Sequence, residues 1–579
     1  MKEQPTIAEI EKKAKKTKIS GSEAIILSLL KEGVEIIFGY PGGAIMPVYD
    51  SLMDHKDKIR HILTRHEQGA IHAAQGYARV TGKVGVCMTT SGPGATNLIT
   101  GIADAMMDST PIVCITGQVF APLLGSDAFQ ETDVVGISMP VTKWNYLITR
   151  ADEIPEVISQ AFYIASIGRP GPVVIDLAKN AQFGQIFFKY KKCTSIRSYV
   201  ARPEINKDKI KKAAELINRA QKPYVLFGQG VILGGAEKEF RAFIEKSGIP
   251  AAWTILGKSA LPTDHPLNVG MLGMHGNYGT NIKSNECDVL IAIGMRFDDR
   301  VTGDLSKYVK QAKVIHLELD QAEINKVVKA HVAILGDVKE TLPLLTEKIE
   351  KKSHESWIKE FKECDRIEYE KVISKDFYPT KPGMTMGEVV RIITEKTDGE
   401  AIIVTDVGQQ QMFASRYTKL NHTRSFVTSG GLGTMGFGLP AAHGAKIGAP
   451  DRVVIGIIGD GGFQMTIQEL ATINQTRAAV KIVLMNNTYL GMVRQWQQLF
   501  FKRRYSETHL QNPDFIKVAE GFGIKGRRIM ERNTLESGIE EMLNYDGPFL
   551  LEVEIEKEAN VFPMVPAGAS VSDVILNSE

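Results

Sequence analysis

An apolar, β-branched run at 453–458 ends in Gly459-Asp460-Gly461-Gly462, and a second apolar run at 480–484 leads into Asn486-Asn487. Between them Met465, Ile467, Leu470 and Ile473 recur at helical period. This is a βαβ unit, and in a parallel sheet the two strand ends lie side by side. Asp460 and Asn487 are therefore expected together at the carboxyl edge, where open α/β sheets bind ligands. A carboxylate with an amide oxygen is a hard, incomplete ligand set, suited to a Mg²⁺ that also holds phosphate oxygens. The glycines let backbone approach a diphosphate and expose amide donors at a helix start. Either half alone is equally explained by turn chemistry; the two together on neighbouring strand ends point to a metal–phosphate site.

The rest of the chain is consistent with a large enzyme. Its 579 residues are enough for roughly three to four domains. A net charge of +2 gives no general attraction for nucleic acid or a membrane surface. Cys87, Cys114, Cys193, Cys287 and Cys364 form no C-x-x-C pair and read as small packing residues in a reducing compartment. The first 18 residues alternate Lys12, Lys13, Lys15, Lys16 and Lys18 with Glu3, Glu9 and Glu11, and carry no apolar core. They read as a solvated arm and not as a signal or transit peptide, so a cytoplasmic location is expected.

Strands alternate with helix-period segments in three blocks, which predicts an α/β fold of three doubly wound parallel-sheet domains. The expected boundaries are an arm at 1–18, a first domain at 19–182, a linker at 183–203 and a second domain at 204–347. A Lys- and Glu-dense helical surface linker at 348–382, a third domain at 383–560 and a tail at 561–579 near the active site complete the chain. The first block carries strands at 36–38, 84–88, 111–116 and 172–177, and the second at 224–227, 289–293 and 314–319. The first and third blocks each pair a Gly-rich turn with a helix, although residue identity does not establish a shared fold.

Further constellations carry chemistry. Glu67 lies in "RHEQGAIHAAQGYAR", at the start of a helix rich in small residues. The position that would complete a zinc-protease HExxH is Ala70, which excludes that site. A carboxyl group in an apolar setting suits proton exchange, whereas an ordinary surface Glu would be favoured by the helix dipole. Gly431, Gly433 and Gly436 spell a formal G-x-G-x-x-G interrupted by Met435. In the middle block Gly228, Gly230 and Gly234 follow a strand, a generic dinucleotide signature. Arg296, Asp298, Asp299 and Arg300 crowd a strand end, fitting either an exposed ion-paired loop or an anion clamp. Met492 and Trp496 share a helical face just beyond Asn487. "LGKSAL" at 256–261 has the ending of a phosphate loop but Ala252 where its first glycine belongs.

The GDG…NN pair resembles the thiamine-diphosphate (ThDP) motif, and the whole chain from about 19 to 576 resembles the catalytic large subunits of acetohydroxyacid (acetolactate) synthases. The resemblance rests on "GYPGGAIMPVYD", "RHEQGAIHAAQGYAR", "TSGPGATNLITGIADA", "SDAFQETD", "GRPGPVVIDLAK", "GMHG", "RFDDRVTG", "GGLGTMGFGLPAA", "GDGGFQMTIQELAT" and "GMVRQWQ". It implies pyrimidine-binding, FAD-binding and diphosphate-binding domains, in that order.

By the same resemblance Glu67 hydrogen-bonds the aminopyrimidine of ThDP held by another subunit. Gly408, Gln409, Gly433, Met435, Gly459, Asp460, Gly461, Gly462, Asn487, Tyr489, Leu490, Gly491 and Met492 contact ThDP, Met435 wedging between its rings. Mg²⁺ takes Asp460, Asn487 and the backbone oxygen of Tyr489. A mainly structural FAD meets Arg169, Gly228, Gly230, Met274, His275, Gly276, Arg296, Asp298, Arg300, Glu318, Asp320 and Asp337. Phe129, Gln130 and Lys179 reach the site across a dimer, while Arg300 and Trp496 position the second 2-ketoacid and Asp299 supports them.

The implied reaction decarboxylates pyruvate and joins the two-carbon unit to a second pyruvate or to 2-ketobutyrate. The products, 2-acetolactate and 2-aceto-2-hydroxybutyrate, lead to valine, leucine and isoleucine. A homodimer or dimer of dimers and a separate regulatory small subunit are implied partners. Gln410 stands where the family usually has His, and an amide can still donate to a diphosphate. Phe120 and Pro122 depart from the usual residues of the herbicide channel, which predicts altered sulfonylurea sensitivity. Pyruvate oxidase, glyoxylate carboligase and the flavin-free catabolic synthase remain as rival ThDP enzymes, with a degenerate, non-catalytic homologue as a further alternative. Glu67 argues against glyoxylate carboligase, and the 296–300 cluster argues against the catabolic form.

Overall fold

The computed structural model describes residues 17–577, so most of the Lys-rich arm expected at 1–18 lies outside the described residues. Three six-stranded sheets follow one another along the chain, and every strand pair within them is parallel. The first runs, in spatial order, Arg60–Leu63, Ile36–Tyr40, Gly85–Thr89, Ile112–Gln118, Pro172–Ala178 and Trp144–Ile148. The third runs Phe426–Val427, Ile402–Thr405, Val454–Gly459, Val480–Asn486, Phe549–Glu554 and Lys525–Ile529. Numbered from its own first strand, each has the order 2-1-3-4-6-5. Blocks one and three thus share a topology that their residue identities do not display.

The middle sheet differs. Its spatial order is Asn268–Met271, Ala251–Trp253, Pro223–Phe227, Val289–Ile293, Lys313–Glu318 and Val332–Leu335. That is 3-2-1-4-5-6, the dinucleotide-binding order, with its reversal between Pro223–Phe227 and Val289–Ile293. The central strands are buried throughout, as parallel strands covered by helices on both faces must be. This is why they read as unbroken apolar runs. Strands such as Arg60–Leu63 and Trp144–Ile148, which are shorter or only partly buried, carry a weaker pattern and escaped the sequence reading.

Two expectations change. The segment at 348–382 contains the helix Glu355–Glu368, whose one buried face was not expected from its charged composition. Trp357, Phe361 and Cys364 pack into the middle block, where the Trp357 indole donates to Pro223 O at 2.9 Å. Its charged residues face outward and mask that stripe in composition. Cys193 is partly exposed, whereas Cys87, Cys114, Cys287 and Cys364 are buried; all five are free thiols.

The blocks are locked by contacts that tolerate little change. Helix Glu67–Thr81 of the first block lies on helix Gly438–Gly448 of the third at glycine crossings. A Cβ on Gly444 would fall 1.8 Å from Ala73 O, and one on Gly76 would fall 2.0 Å from Ala441 O. From the middle block, buried Lys258 donates to Ser415 O and Thr418 Oγ1, both at 2.7 Å. It caps the carbonyl end of helix Gln409–Tyr417 by donating to it, although full burial pushes the pKa of its ammonium group well down. Gly444→Val should therefore lower unfolding free energy by about 2–3 kcal/mol, seen as an earlier urea transition, because the helices must separate to admit the side chain.

Candidate functional site

Gly459 pairs with Met485 across the two central strands of the third sheet, which sets Asp460 beside Asn486 and Asn487 at the carboxyl edge. Both Asp460 and Asn487 are buried. Burial pushes the Asp460 carboxyl up to about 6, against the hydrogen bond from Asn512 Nδ2 at 2.7 Å. The same Asn512 amide donates to Asn486 Oδ1 at 2.9 Å. Asn512 was missed by sequence reasoning because it lies far along the chain on a connection with no motif of its own. Thr488 turns the chain at φ +59°, and the Asn487 carboxamide oxygen accepts from the Tyr489 amide at 3.1 Å. Among the described residues no cluster of three His, Cys, Asp or Glu gathers elsewhere. A single carboxylate with an amide and main-chain oxygens fits a Mg²⁺ that shares its sphere with phosphate, and fits a zinc centre poorly.

Around this edge the glycines are sites of close approach. A Cβ on Gly491 would lie 2.2 Å from Gln409 Oε1, so glycine there lets Gln409 face Asn487, whose Nδ2 is 3.4 Å from that oxygen. Gln409 also donates to Gln495 Oε1 and to Ala559 O. Gln410 is buried, its amide under Gly408 and Gly459 between two strand ends. The loop after strand Phe426–Val427 carries Gly433 at φ +70° and Met435, whose methyl group would meet a Cβ on Gly461 at 3.4 Å. Asp406 anchors the far side of that loop, accepting from the Gly436 and Gly438 amides at 3.1 and 2.7 Å.

Gly408, Gly433, Met435, Met492 and Trp496 line one end of a cavity of about 850 Å³ that continues into the middle block. Its other walls include Arg169, Gly230, Met274, His275, Arg296, Asp298, Arg300, Glu318 and Asp337. These lie at the switch point of the middle sheet, where a dinucleotide is expected. Arg169 Nη1 pairs with Asp320 at 3.1 Å and with Glu323, a residue not anticipated, at 2.9 Å. Burial raises Glu318 to about 7, although its oxygen accepts the Leu319 and Asp320 amides. Asp298 and Asp337 cap helices Asp299–Thr302 and Val338–Lys348. Burial lowers His275 to about 4, so its ring is neutral at pH 7, and among the described residues its Nδ1 has no partner. A long Gly-walled cavity containing an orphaned imidazole nitrogen fits a bound FAD. Gly228 and Gly276 sit behind the wall at tight backbone crossings.

Glu67 belongs to a second, separate half-site. It is the first residue of helix Glu67–Thr81, and its carboxylate accepts from Asn97 Nδ2 at 2.9 Å, a partner that no spacing suggested. A Cβ on Gly94 would be 3.5 Å from Glu67 Oε1, and one on Gly92 would be 2.9 Å from Gln130 O. Gln130, at φ +60°, therefore approaches Glu67 through the Gly92-Pro93-Gly94 turn. Phe129 is 88% exposed, and Lys179 Nζ lies 5.8 Å over the Phe120 ring, which stacks on Phe183. Among the described residues no hydrogen bond or ion pair joins Glu67, Phe129, Gln130 or Lys179 to Asp460 or Asn487.

A carboxyl-edge Asp–Asn pair, a Met-bearing glycine loop and a carboxyl group on a partner-block helix define a thiamine-diphosphate enzyme. Residues 19–137, 210–345 and 406–553 match the N-terminal TPP binding, central and C-terminal TPP binding domains of thiamine pyrophosphate enzymes. The chain is 47% identical over 566 residues to the probable acetolactate synthase large subunit of Methanocaldococcus jannaschii, covering 96% of this chain and 95% of that one. It is 44% identical over 562 residues to the acetolactate synthase isozyme 2 large subunit of Escherichia coli, covering 96% and 99%. It is 43% identical over 585 residues to the acetolactate synthase large subunit of Corynebacterium glutamicum, covering 98% and 92%. The chain belongs to the acetolactate synthase large-subunit family.

Asn97→Ala should leave the Glu67 carboxylate without its donor. Acetolactate formation should then fall about tenfold at an unchanged circular-dichroism spectrum, the usual cost of orphaning one buried acceptor.

Proposed function

We propose that this chain condenses two 2-ketoacids with loss of CO₂, giving 2-acetolactate from two pyruvates or 2-aceto-2-hydroxybutyrate from pyruvate and 2-ketobutyrate. The observation that carries the reading is the buried Asp460–Asn487 pair on neighbouring strand ends, faced by the Met435 loop, in a chain of this family. Asp460, Asn487 and the Tyr489 carbonyl hold Mg²⁺. The amides around Gly408–Gln409 and Gly459–Gly462, with those at Leu490 and Gly491, receive the diphosphate. Bound thiamine diphosphate supplies a carbon nucleophile and an electron sink for decarboxylation.

The remaining work falls to side chains. Met435 and Met492, which line this end of the cavity, would pack against the cofactor rings. Glu67 holds a proton at the aminopyrimidine nitrogen, and Asn97 keeps its carboxylate oriented. Arg300 and Trp496, at the cavity wall beside Met492, receive the carboxylate and the body of the second 2-ketoacid. The switch-point groove with Arg169 and His275 takes FAD as a structural element.

Among the described residues Glu67 makes no hydrogen bond to Asp460 or Asn487, and Phe129 is left exposed. A second copy supplying Glu67, Phe129, Gln130 and Lys179 to the first copy's cofactor resolves both features, so the dimer is the smallest complete unit. The relatives are named large subunits, which supports a separate small subunit as a further partner. Among the described residues no helix is long and apolar enough to cross a membrane, in keeping with a cytoplasmic enzyme.

Incubation with pyruvate, ThDP, Mg²⁺ and FAD, without an electron acceptor, should yield acetolactate. Glu67→Gln should reduce it at least about 100-fold, the scale of general acid–base catalysis. Acetaldehyde alone, or acetyl phosphate formed only with oxygen and phosphate, would overturn the carboligase reading. The metal site adds a pH prediction. Mg²⁺ needs the Asp460 carboxylate, and in the metal-free protein that group protonates at about 6. Mg²⁺ affinity should therefore be level above pH 7 and fall about tenfold per pH unit below 6, a dependence that Asp460→Asn removes together with tight binding.

A further inference from the structure

The Gly430–Met435 segment is held from outside its own block. Two fully buried carboxylates on the first block, Asp104 in helix Ile99–Met107 and Asp108 just beyond it, meet the loop across the block boundary. Asp108 Oδ2 accepts the Gly430 amide at 2.9 Å and Oδ1 accepts the Gly431 amide at 2.7 Å, a fork on two successive peptide groups. Asp104 Oδ1 accepts from the Thr434 hydroxyl at 2.9 Å and from the Ser429 hydroxyl, which in turn accepts the Thr434 amide at 2.8 Å. Arg79, near the far end of the helix that begins with Glu67, is the counter-ion. Its Nη2 lies 2.8 Å from Asp108, its Nη1 donates to Thr428 O at 2.5 Å, and its guanidinium sits 5.3 Å from the Phe437 ring centroid.

This is more polar material than an interface needs. Two carboxylates face one guanidinium in a site closed to water: Arg79 Nη2 also lies 3.9 Å from Asp104 Oδ2, and neither that oxygen nor Arg79 Nε has a hydrogen-bond partner among the described residues. Burial and the neighbouring Asp104 push the Asp108 carboxyl up, while Arg79 and the Gly430 amide hold it down. Such groups are costly to bury; Arg79 offsets part of that cost, and most of the hydrogen bonds the carboxylates accept come from the one loop. Gly431 must be glycine for the fork to close, since a Cβ there would lie 2.8 Å from Asp108 Oδ1. The loop thus has two anchors, Asp108 with Asp104 on one side and Asp406 on the other, with Gly433 and Met435 presented to the cavity between them.

We infer that Asp104, Asp108 and Arg79 are positioning residues that clamp the Met435 loop from the opposite block and keep it in the shape the cofactor rings require. The inference rests on the reading of this site as the ThDP site. The clamp acts on ring geometry and turnover, and little on the metal and diphosphate ligands, which sit on other strand ends.

The test uses the full chain loaded with ThDP, Mg²⁺ and FAD, and compares wild type with Asp108→Asn. The amide keeps the shape but offers one acceptor and presents N–H to the other peptide N–H. Deuterium exchange in the 428–436 segment should rise at least about tenfold, and acetolactate turnover at saturating pyruvate and cofactors should fall at least about tenfold. Mg²⁺–ThDP affinity, from quenching of tryptophan fluorescence, should stay within about threefold. Thr434→Val, which removes a single hydroxyl from Asp104, should show the same pattern at about three- to tenfold and serves if Asp108→Asn does not fold. Exchange and turnover near wild type would overturn the clamp. So would a turnover loss matched by an equal loss of cofactor affinity, or by faster exchange throughout the sheets. If the wild type forms no acetolactate, the functional reading fails, whereas the exchange comparison still decides the clamp.

Discussion

Parallel pairing of strands Val454–Gly459 and Val480–Asn486 is the contact on which the site depends. It places a carboxylate and a carboxamide at equal height on one sheet edge, with glycine on either side to admit backbone to a phosphate. Burial raises the Asp460 carboxyl, and the Asn512 side chain with the Gly461 and Thr488 amides only partly offsets this. A cation at that edge would relieve the desolvation that the fold imposes on the carboxyl.

Three domain contacts then decide how this edge is used. Glycine crossings bring helix Glu67–Thr81 against Gly438–Gly448, Lys258 caps helix Gln409–Tyr417 from the middle block, and the Asp104–Asp108–Arg79 cluster grips the loop before Met435. Each is polar or sterically exacting, so the blocks meet in one arrangement instead of sliding over an apolar face. The cavity at their junction draws walls from all three blocks, which is why the switch-point groove of the middle sheet and the end lined by Met435 and Trp496 open into the same space.

Much of the fold is legible in the chain because parallel strands buried on both faces need uninterrupted apolar residues, and runs such as 112–118 and 289–293 supply them. The glycines at 228, 230 and 433 and the Asp460–Asn487 pair are equally legible, since turns, close approach and a polar strand end restrict residue type. Half-buried strands and the buried stripe of helix Glu355–Glu368 are not, because charged outer faces hide them. The partners that tune the site are likewise hidden. Asn97, Asn512, Glu323 and Asp108 are ordinary polar residues in local sequence, distant along the chain from what they touch.

Sequence alone determined the α/β class, the family and the identity of the residues at the strand ends, all of which follow from short-range pattern and residue chemistry. Only the tertiary structure decided that the first and third sheets share one strand order and the middle sheet has another. It also paired Glu67 with Asn97 and turned two distant aspartates onto the Met435 loop. The reason is physical: strand order, domain docking and long-range hydrogen bonds depend on which surfaces meet, and no local periodicity encodes the distance between two surfaces.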